Sequence, residues 1–136
     1  MNLYGAPYPI VKHPRGFLHT QSGIDQVKSD LIVLLLTNPG ERPMLPEYGT
    51  PLKTLMFEPN DSIIIQQAKD MIAASIRMWE PRVTISDITI TAGLPDDDLN
   101  PQDTLDEKEH ILGIVISFFD PNKINEVQQL KLEVPL

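Results

Sequence analysis

Apolar residues recur at helical spacing in two stretches of the chain, so the sequence predicts two long helices. The first is expected over about 22–37, with Ser22 as its N-cap and the Asn38-Pro39-Gly40 run as its end. The second is expected over about 61–79, capped by Asn60 or Asp61 and ended by Pro81. The apolar face of the first helix is Ile24, Val27, Leu31, Leu34 and Leu35. The corresponding face of the second is Ile64, Ala68, Met71, Ile72, Ser75 and Trp79.

Three strands are expected after the helices, because the apolar residues change from helical spacing to alternation. The first covers about 84–92, with a bulge near Ser86-Asp87 where the alternation changes phase. The second, at about 110–119, is apolar in both phases and is expected to be covered on both faces. The third, at about 126–134, points Leu130, Leu132 and Val134 inward. This order predicts an α+β fold with two main helices packed on a small antiparallel sheet of about three strands.

The first 21 residues are rich in proline and glycine and follow neither period. They predict an extended N-terminal arm, ordered by docking on the body or on a neighbour, with Tyr4, Tyr8 and Phe17 as aromatic anchors. Residues 22–136 are expected to form one domain, because the length of the chain suits a single core.

Most of the formal net charge of −8 lies in one segment. Seven acids and one lysine between Asp96 and Glu109 account for −6 and leave the rest of the chain near neutral. The segment is expected to be a solvated, mobile loop, with calcium binding as the lesser alternative. No basic stripe of the kind that binds phosphate backbones is present, so nucleic acid is not an expected partner. The longest apolar run, 31–36, is far shorter than the roughly 20 residues that cross a bilayer.

The sequence offers little catalytic chemistry. It contains no cysteine, no Gly-x-Ser-x-Gly and no glycine-rich phosphate loop, and its three histidines lack metal-ligand spacing. No metal or cofactor is expected. Two carboxylates would suffice for glycoside cleavage, but Glu41 and Glu80 each lie close to an arginine that favours the ionised form. An enzymatic function is therefore not expected.

Two segments favour binding instead. Prolines stiffen the loop at 39–49, which presents charged and aromatic groups, so little entropy is lost when a partner docks. After the second helix, Glu80 and Arg82 flank Pro81 and project to the same side of an extended segment. From the residues alone this corner is equally a structural staple, in which the two charges pair with each other, or a docking site.

Three runs of residues carry a family resemblance. They are Gly40-Glu41-Arg42-Pro43-Met44-x-Pro46-Glu47-Tyr48-Gly49, then Leu52-x-x-Leu55-x-Phe57-Glu58, then Trp79-Glu80-Pro81-Arg82-Val83. Over about 22–134 the chain resembles the baseplate wedge and sheath-initiator subunits of contractile-tailed phages. Relatives of these subunits occur in type VI secretion baseplates and pyocin-like particles.

The resemblance implies a structural role in the baseplate of a virion tail, assembled in the host cytoplasm. The implied partners are other wedge proteins, tail sheath subunits and tail tube-end proteins, without nucleic acid or membrane. The residues implied to bind wedge partners are Glu80, Pro81 and Arg82. The loop residues expected to bind with them are Glu41, Arg42, Glu47 and Tyr48. The strand expected to meet the sheath is Gln129, Leu130, Lys131, Leu132 and Glu133. The alternatives are the same role in a secretion or injection baseplate, or a lysozyme-like muralytic enzyme.

Overall fold

The computed structural model describes residues 4–55, 62–92, 111–120 and 123–135. Its two long helices are α1 (Ile24–Leu36) and α2 (Ser62–Trp79), with a 3₁₀ turn at Leu52–Leu55 between them. Two-residue strands β1 (Tyr4–Gly5) and β2 (Gln21–Ser22) pair antiparallel. Strands β3 (Thr84–Ala92), β4 (Ile111–Asp120) and β5 (Lys123–Pro135) form an antiparallel sheet in chain order. The predicted α+β fold is confirmed. The acidic segment at 96–109 lies outside the described residues.

The ends of α1 show one error of prediction. Ser22 is not the N-cap, because its backbone is paired in β2 and the helix begins after Gly23. Gly23 has a φ of 69°, which glycine adopts at little cost, and caps the helix without a side-chain hydrogen bond. The end is as expected: the Thr37 N–H donates to the Val33 carbonyl (3.0 Å) and the chain then becomes extended. The proposed caps of α2, Asn60 and Asp61, lie outside the described residues.

Both helices pack on the same face of the three-stranded sheet. The predicted bulge is confirmed, since the register of β3 against β4 shifts between Ile85 and Asp87. On β4, Leu112, Ile114, Ile116 and Phe118 are buried in the common core with both helices. On the other face of the strand, Val115, Ser117 and Phe119 are only half-buried. The expectation that β4 is covered on both faces is therefore wrong for this chain alone, because both helices pack on the same face.

The inward residues of β5 are those predicted. Leu130 and Val134 are buried and Leu132 is half-buried, whereas Gln129, Lys131 and Glu133 are exposed. Facing them across the core, Leu31 of α1 and Ile72 and Ile76 of α2 are fully buried. Each such side chain contributes about 1.5–3 kcal/mol through removal from water.

The proline-rich loop after α1 is closed against both helices. The Gly40 N–H donates to the Pro46 carbonyl (2.7 Å), which ties the loop to itself. The Thr50 N–H donates to the Thr37 carbonyl (2.9 Å), and the Ser75 hydroxyl of α2 donates to the Gly49 carbonyl (3.3 Å). The loop is thus a fixed part of the body.

The N-terminal arm is held by backbone contacts and not by its aromatic residues. Tyr4, Tyr8 and Phe17 are 71%, 47% and 96% exposed, so the expectation that they anchor the arm to the body is wrong. The arm is held by the β1–β2 pairing, by buried Pro7, and by the Tyr8 N–H, which donates to the Ser29 hydroxyl of α1 (3.3 Å). Small groups and main chain lie close to α1, which leaves the large rings outside.

Gly49→Ala is expected to lower the free energy of unfolding by about 2–4 kcal/mol. Gly49 has a φ of 128°, and a Cβ there would lie 2.9 Å from the Asn38 carbonyl carbon and 3.0 Å from the Pro39 nitrogen, which are backbone atoms. Gly40→Ala is the matched control, because Gly40 also has a positive φ of 92° but open space around it. Urea denaturation should show a clearly smaller loss for Gly40→Ala, and equal losses would contradict the steric argument.

Candidate functional site

The corner between α2 and β3 is built around a buried carboxylate. The Glu80 N–H still donates to the Ile76 carbonyl of α2 (2.8 Å), and the Val83 N–H donates to the Glu80 carbonyl (3.1 Å). These bonds fold the chain tightly around Pro81 and place the Glu80 side chain, 10% exposed, beside Arg82. Both Glu80 oxygens accept hydrogen bonds from Arg82, one from Nε and one from Nη2 (2.9 Å). The staple interpretation of this pair is confirmed.

Asp30 of α1 also pairs with Arg82, and we call Glu80, Arg82 and Asp30 the ion-pair cluster. Asp30 Oδ2 accepts a hydrogen bond from Arg82 Nη2 (2.9 Å), and its Oδ1 accepts one from Gln26 Nε2 (2.7 Å). Hydrogen bonding to Glu80, followed by the charges of Glu80 and Asp30, raises the pKa of Arg82. Since Asp30 and Arg82 are 52 residues apart, the cluster joins α1 to the corner.

Aromatic residues connect the proline-rich loop to the same corner. Tyr48 meets the Trp79 ring edge-on at 5.3 Å between centroids, and the Arg42 guanidinium lies 4.0 Å above the Tyr48 ring. Such a cation–π contact contributes about 0.5–1 kcal/mol at an exposed site. Partial burial raises the pKa of Tyr48, Arg42 lowers it, and the charges of Asp30 and Glu80 raise it. Tyr48 therefore lies within electrostatic reach of both the loop cation and the cluster.

Two other predicted residues lie further out on the loop. Glu41 is exposed and accepts a hydrogen bond from Asn38 Nδ2 (2.6 Å), and the contacts with Asn38 lower the pKa of Glu41. Glu47 is exposed and forms no hydrogen bond or ion pair with the described residues. We call the predicted set the docking surface; its members are Glu41, Arg42, Glu47, Tyr48, Glu80, Pro81 and Arg82.

Sequence reasoning missed Asp30, Gln26 and the ring contact of Trp79. Trp79 was assigned to the helix core, and its position next to Glu80 was the available signal. Gln26 and Asp30 are four residues apart beside an apolar helical face, where they can contact each other. Nothing in that spacing identifies Arg82 as the partner.

Residues 21–111 match the family model described as baseplate wedge protein gp25. The chain belongs to this baseplate wedge family. The predicted family is therefore confirmed, and with it the assignment to the baseplates of contractile tails.

Two curated relatives agree. The baseplate wedge protein gp25 of Enterobacteria phage T4 is 30% identical over 61 residues, or 45% of this chain and 46% of that protein. Baseplate protein W of Escherichia phage P2 is 29% identical over 70 residues, or 52% of this chain and 61% of that protein. The chain thus spans about half the length of the curated relatives it matches.

Solved structures share the fold. A Geobacter sulfurreducens protein, provisionally described as a tail lysozyme, has a TM-score of 0.64 and 20% identity, covering 82% of this chain and 88% of that one. A chain of the anti-feeding prophage baseplate has a TM-score of 0.63 and 20% identity, covering 98% and 86%. A chain of the post-contraction pyocin R2 baseplate has a TM-score of 0.52 and 23% identity, covering 93% and 98%.

In the part of the chain that the structure describes, no helix combines the length and apolar character needed to cross a membrane. No group of three or more His, Cys, Asp or Glu side chains among the described residues is arranged to hold a metal ion.

Arg82→Ala is expected to lower the free energy of unfolding by about 2–3 kcal/mol, because it leaves the Glu80 carboxylate buried without its donors. This figure is below the full cost of breaking a buried pair, since Arg82 is 31% exposed. Adding Glu80→Gln should recover part of the loss, because a neutral amide is less costly to bury than a lone charge. Urea denaturation measures all three, with Arg77→Ala, an exposed arginine of α2, as a control expected to change stability by less than about 0.5 kcal/mol.

Proposed function

We propose that this chain is a non-enzymatic structural subunit of a contractile-tail baseplate that docks on other wedge proteins and starts the sheath. Membership of the wedge family carries the proposal, and the geometry suggests the surfaces. The partners would be wedge proteins at the docking surface, sheath subunits at β5, and tube-end proteins nearby. Assembly would take place in the host cytoplasm. A phage tail is the favoured setting because both curated relatives are phage proteins.

The docking surface contains charged side chains that are held in place by the fold but still have hydrogen-bond donors available to a partner. Glu80 and Asp30 hold Arg82 through Nε and Nη2, while no described residue accepts a hydrogen bond from its Nη1. That nitrogen can therefore bind a partner carboxylate without releasing Glu80. Arg42 and Glu47 extend the charged surface on the rigid loop. Because the groups are already in place, a partner loses little free energy in ordering them.

Strand β5 offers a different kind of contact. It pairs with β4 along one edge, and no other described strand covers its second edge. Its buried side chains fix its register, so the N–H and C=O groups on that edge form a ready template for another strand. We propose that the first sheath subunit adds a strand there, at Gln129, Leu130, Lys131, Leu132 and Glu133.

A muralytic activity has less support from the geometry. Both oxygens of Glu80 are engaged by Arg82, so this carboxyl group is poorly placed to donate a proton to a leaving group. The described likeness to a tail lysozyme, at 20% identity, concerns the fold alone. Peptidoglycan cleavage by the purified protein that is lost in Glu80→Gln would overturn the non-enzymatic part of the proposal.

Charge reversals on the loop test docking separately from stability. Arg42→Glu and Glu47→Lys are both exposed changes, so each should shift stability by less than about 1 kcal/mol. Each is expected to reduce co-purification with wedge proteins at least tenfold if these charges meet opposite charges in the interface. Gln67→Lys, on the exposed side of α2, is the matched control. Unchanged capture by both loop variants would refute docking through this loop.

A proline scan of β5 tests the sheath contact. Amide directions alternate along a strand, so prolines at Gln129, Lys131 and Glu133 delete the N–H groups of one edge, and prolines at Leu130 and Leu132 those of the other. The set that faces β4 should destabilise the monomer by breaking that pairing. In the set that faces the free edge, a proline that leaves the buried Leu130 in place should give a folded protein that enters baseplates but fails to start sheath growth, as seen by electron microscopy.

Lys131→Ala is the control for the scan, because it removes an exposed side chain and keeps the amide. It should fold and support normal sheath growth. Normal growth with a proline on the solvent-facing edge, after circular dichroism has shown native folding, would rule out strand addition at β5.

A further inference from the structure

Gln26 lies between the arm and the ion-pair cluster. The residue is 6% exposed, and its Nε2 donates to Asp30 Oδ1 (2.7 Å). Its Oε1 is buried and has no hydrogen-bond partner among the described residues. The amide is therefore held on one side only, by Asp30, and its other side is free to respond to whatever packs on it.

Gly5 of β1 packs on that amide. A Cβ at Gly5 would lie 2.6 Å from Cδ and 2.9 Å from Oε1 of Gln26, closer than real Cβ atoms approach other heavy atoms. Gly5 is not among the glycines with a positive φ, so backbone conformation does not require glycine here. Any other residue would instead push the end of the flexible Gln26 side chain aside, so the amide must shift if Gly5 is replaced.

The neighbouring residues of α1 hold the arm in the same place. The Ser29 hydroxyl accepts a hydrogen bond from the Tyr8 N–H (3.3 Å) and donates one to Gln21 Oε1 (2.9 Å). Positions 26, 29 and 30 share one face of the helix. The part of α1 that contacts the arm and the Asp30 carboxylate are thus side by side. Gln26 contacts both the arm, at Gly5, and Asp30.

Asp30 connects Gln26 to the corner between α2 and β3. It uses one oxygen for Gln26 and the other for Arg82. Glu80 also binds Arg82, but the two residues belong to the same corner and move with it. Among the described contacts of the Arg82 side chain, the one with Asp30 reaches α1.

We propose that Gln26 is a positioning residue: it transmits the seating of the arm at Gly5 to Asp30 and so holds the Arg82 guanidinium against α1. The arm then orients the docking surface without belonging to it. The significance of this relay for assembly rests on the proposed function, whereas the relay itself is a property of the isolated chain.

The test uses the full-length protein and the side-chain N–H signals of Arg82 in nitrogen-15 NMR. Gly5→Ala should displace the Gln26 amide and weaken the contact between Asp30 and Arg82. Gln26→Leu should have the same effect by removing the donor at similar size. Both are expected to shift the Arg82 signals and to speed their exchange with solvent about tenfold, as for a lost hydrogen bond between charged groups. In the double variant, Gly5→Ala should add nothing further.

Gly16→Ala is the matched control, because Gly16 is on the arm and a Cβ there meets nothing within 4 Å. Its Arg82 signals should equal those of the wild type. Unchanged signals in Gln26→Leu would overturn the relay, and so would an undiminished effect of Gly5→Ala in the Gln26→Leu background. Wedge capture by the same variants separates the two proposals: altered Arg82 signals with normal capture support the relay and contradict docking at the corner.

Discussion

The corner depends on one interaction, the pairing of the buried Glu80 carboxylate with Arg82. A carboxylate at this depth is costly unless its oxygens are satisfied, and Arg82 satisfies both. The tight turn around Pro81 makes the pairing possible, because it keeps two residues of the same segment side by side. Asp30 then attaches the pair to α1. The corner is thus rigid before any partner arrives.

That rigidity removes the apparent choice between a staple and a docking site. Of the five N–H donors of an arginine, the pairing with Glu80 and Asp30 uses those on Nε and Nη2. The remaining donors, on Nη1, point to no described acceptor. One side chain can therefore stabilise the fold and still present a charge to a partner. Arg42 has the same character, since its guanidinium is stacked on the Tyr48 ring while the residue remains exposed.

Periodicity predicted the elements well because it reflects burial within the chain. Most of the face of α2, the bulge at Ile85/Asp87 and the inward residues of β5 follow from packing on a single core, although the fully buried Ile76 was not expected on that face. It failed where the decisive contact is elsewhere. Ser22 has the chemistry of a helix cap but is paired with Tyr4, and Asp30 has its partner 52 residues away. The aromatic residues of the arm have large apolar rings of the kind that usually anchor a segment by burial, yet they remain exposed.

The expectation that β4 is covered on both faces also failed because the contact that would cover its second face is not within this chain. The second apolar phase of β4 is half-buried in the chain alone, at Val115 and Phe119, which lie on the central strand next to β5. A long edge strand without an internal proline would also invite pairing between copies. Lys131 and Glu133 project outward on β5, and charged side chains on an edge strand disfavour pairing with a second copy. Such a strand can be kept from pairing with itself while its backbone groups remain available for the strand addition proposed above.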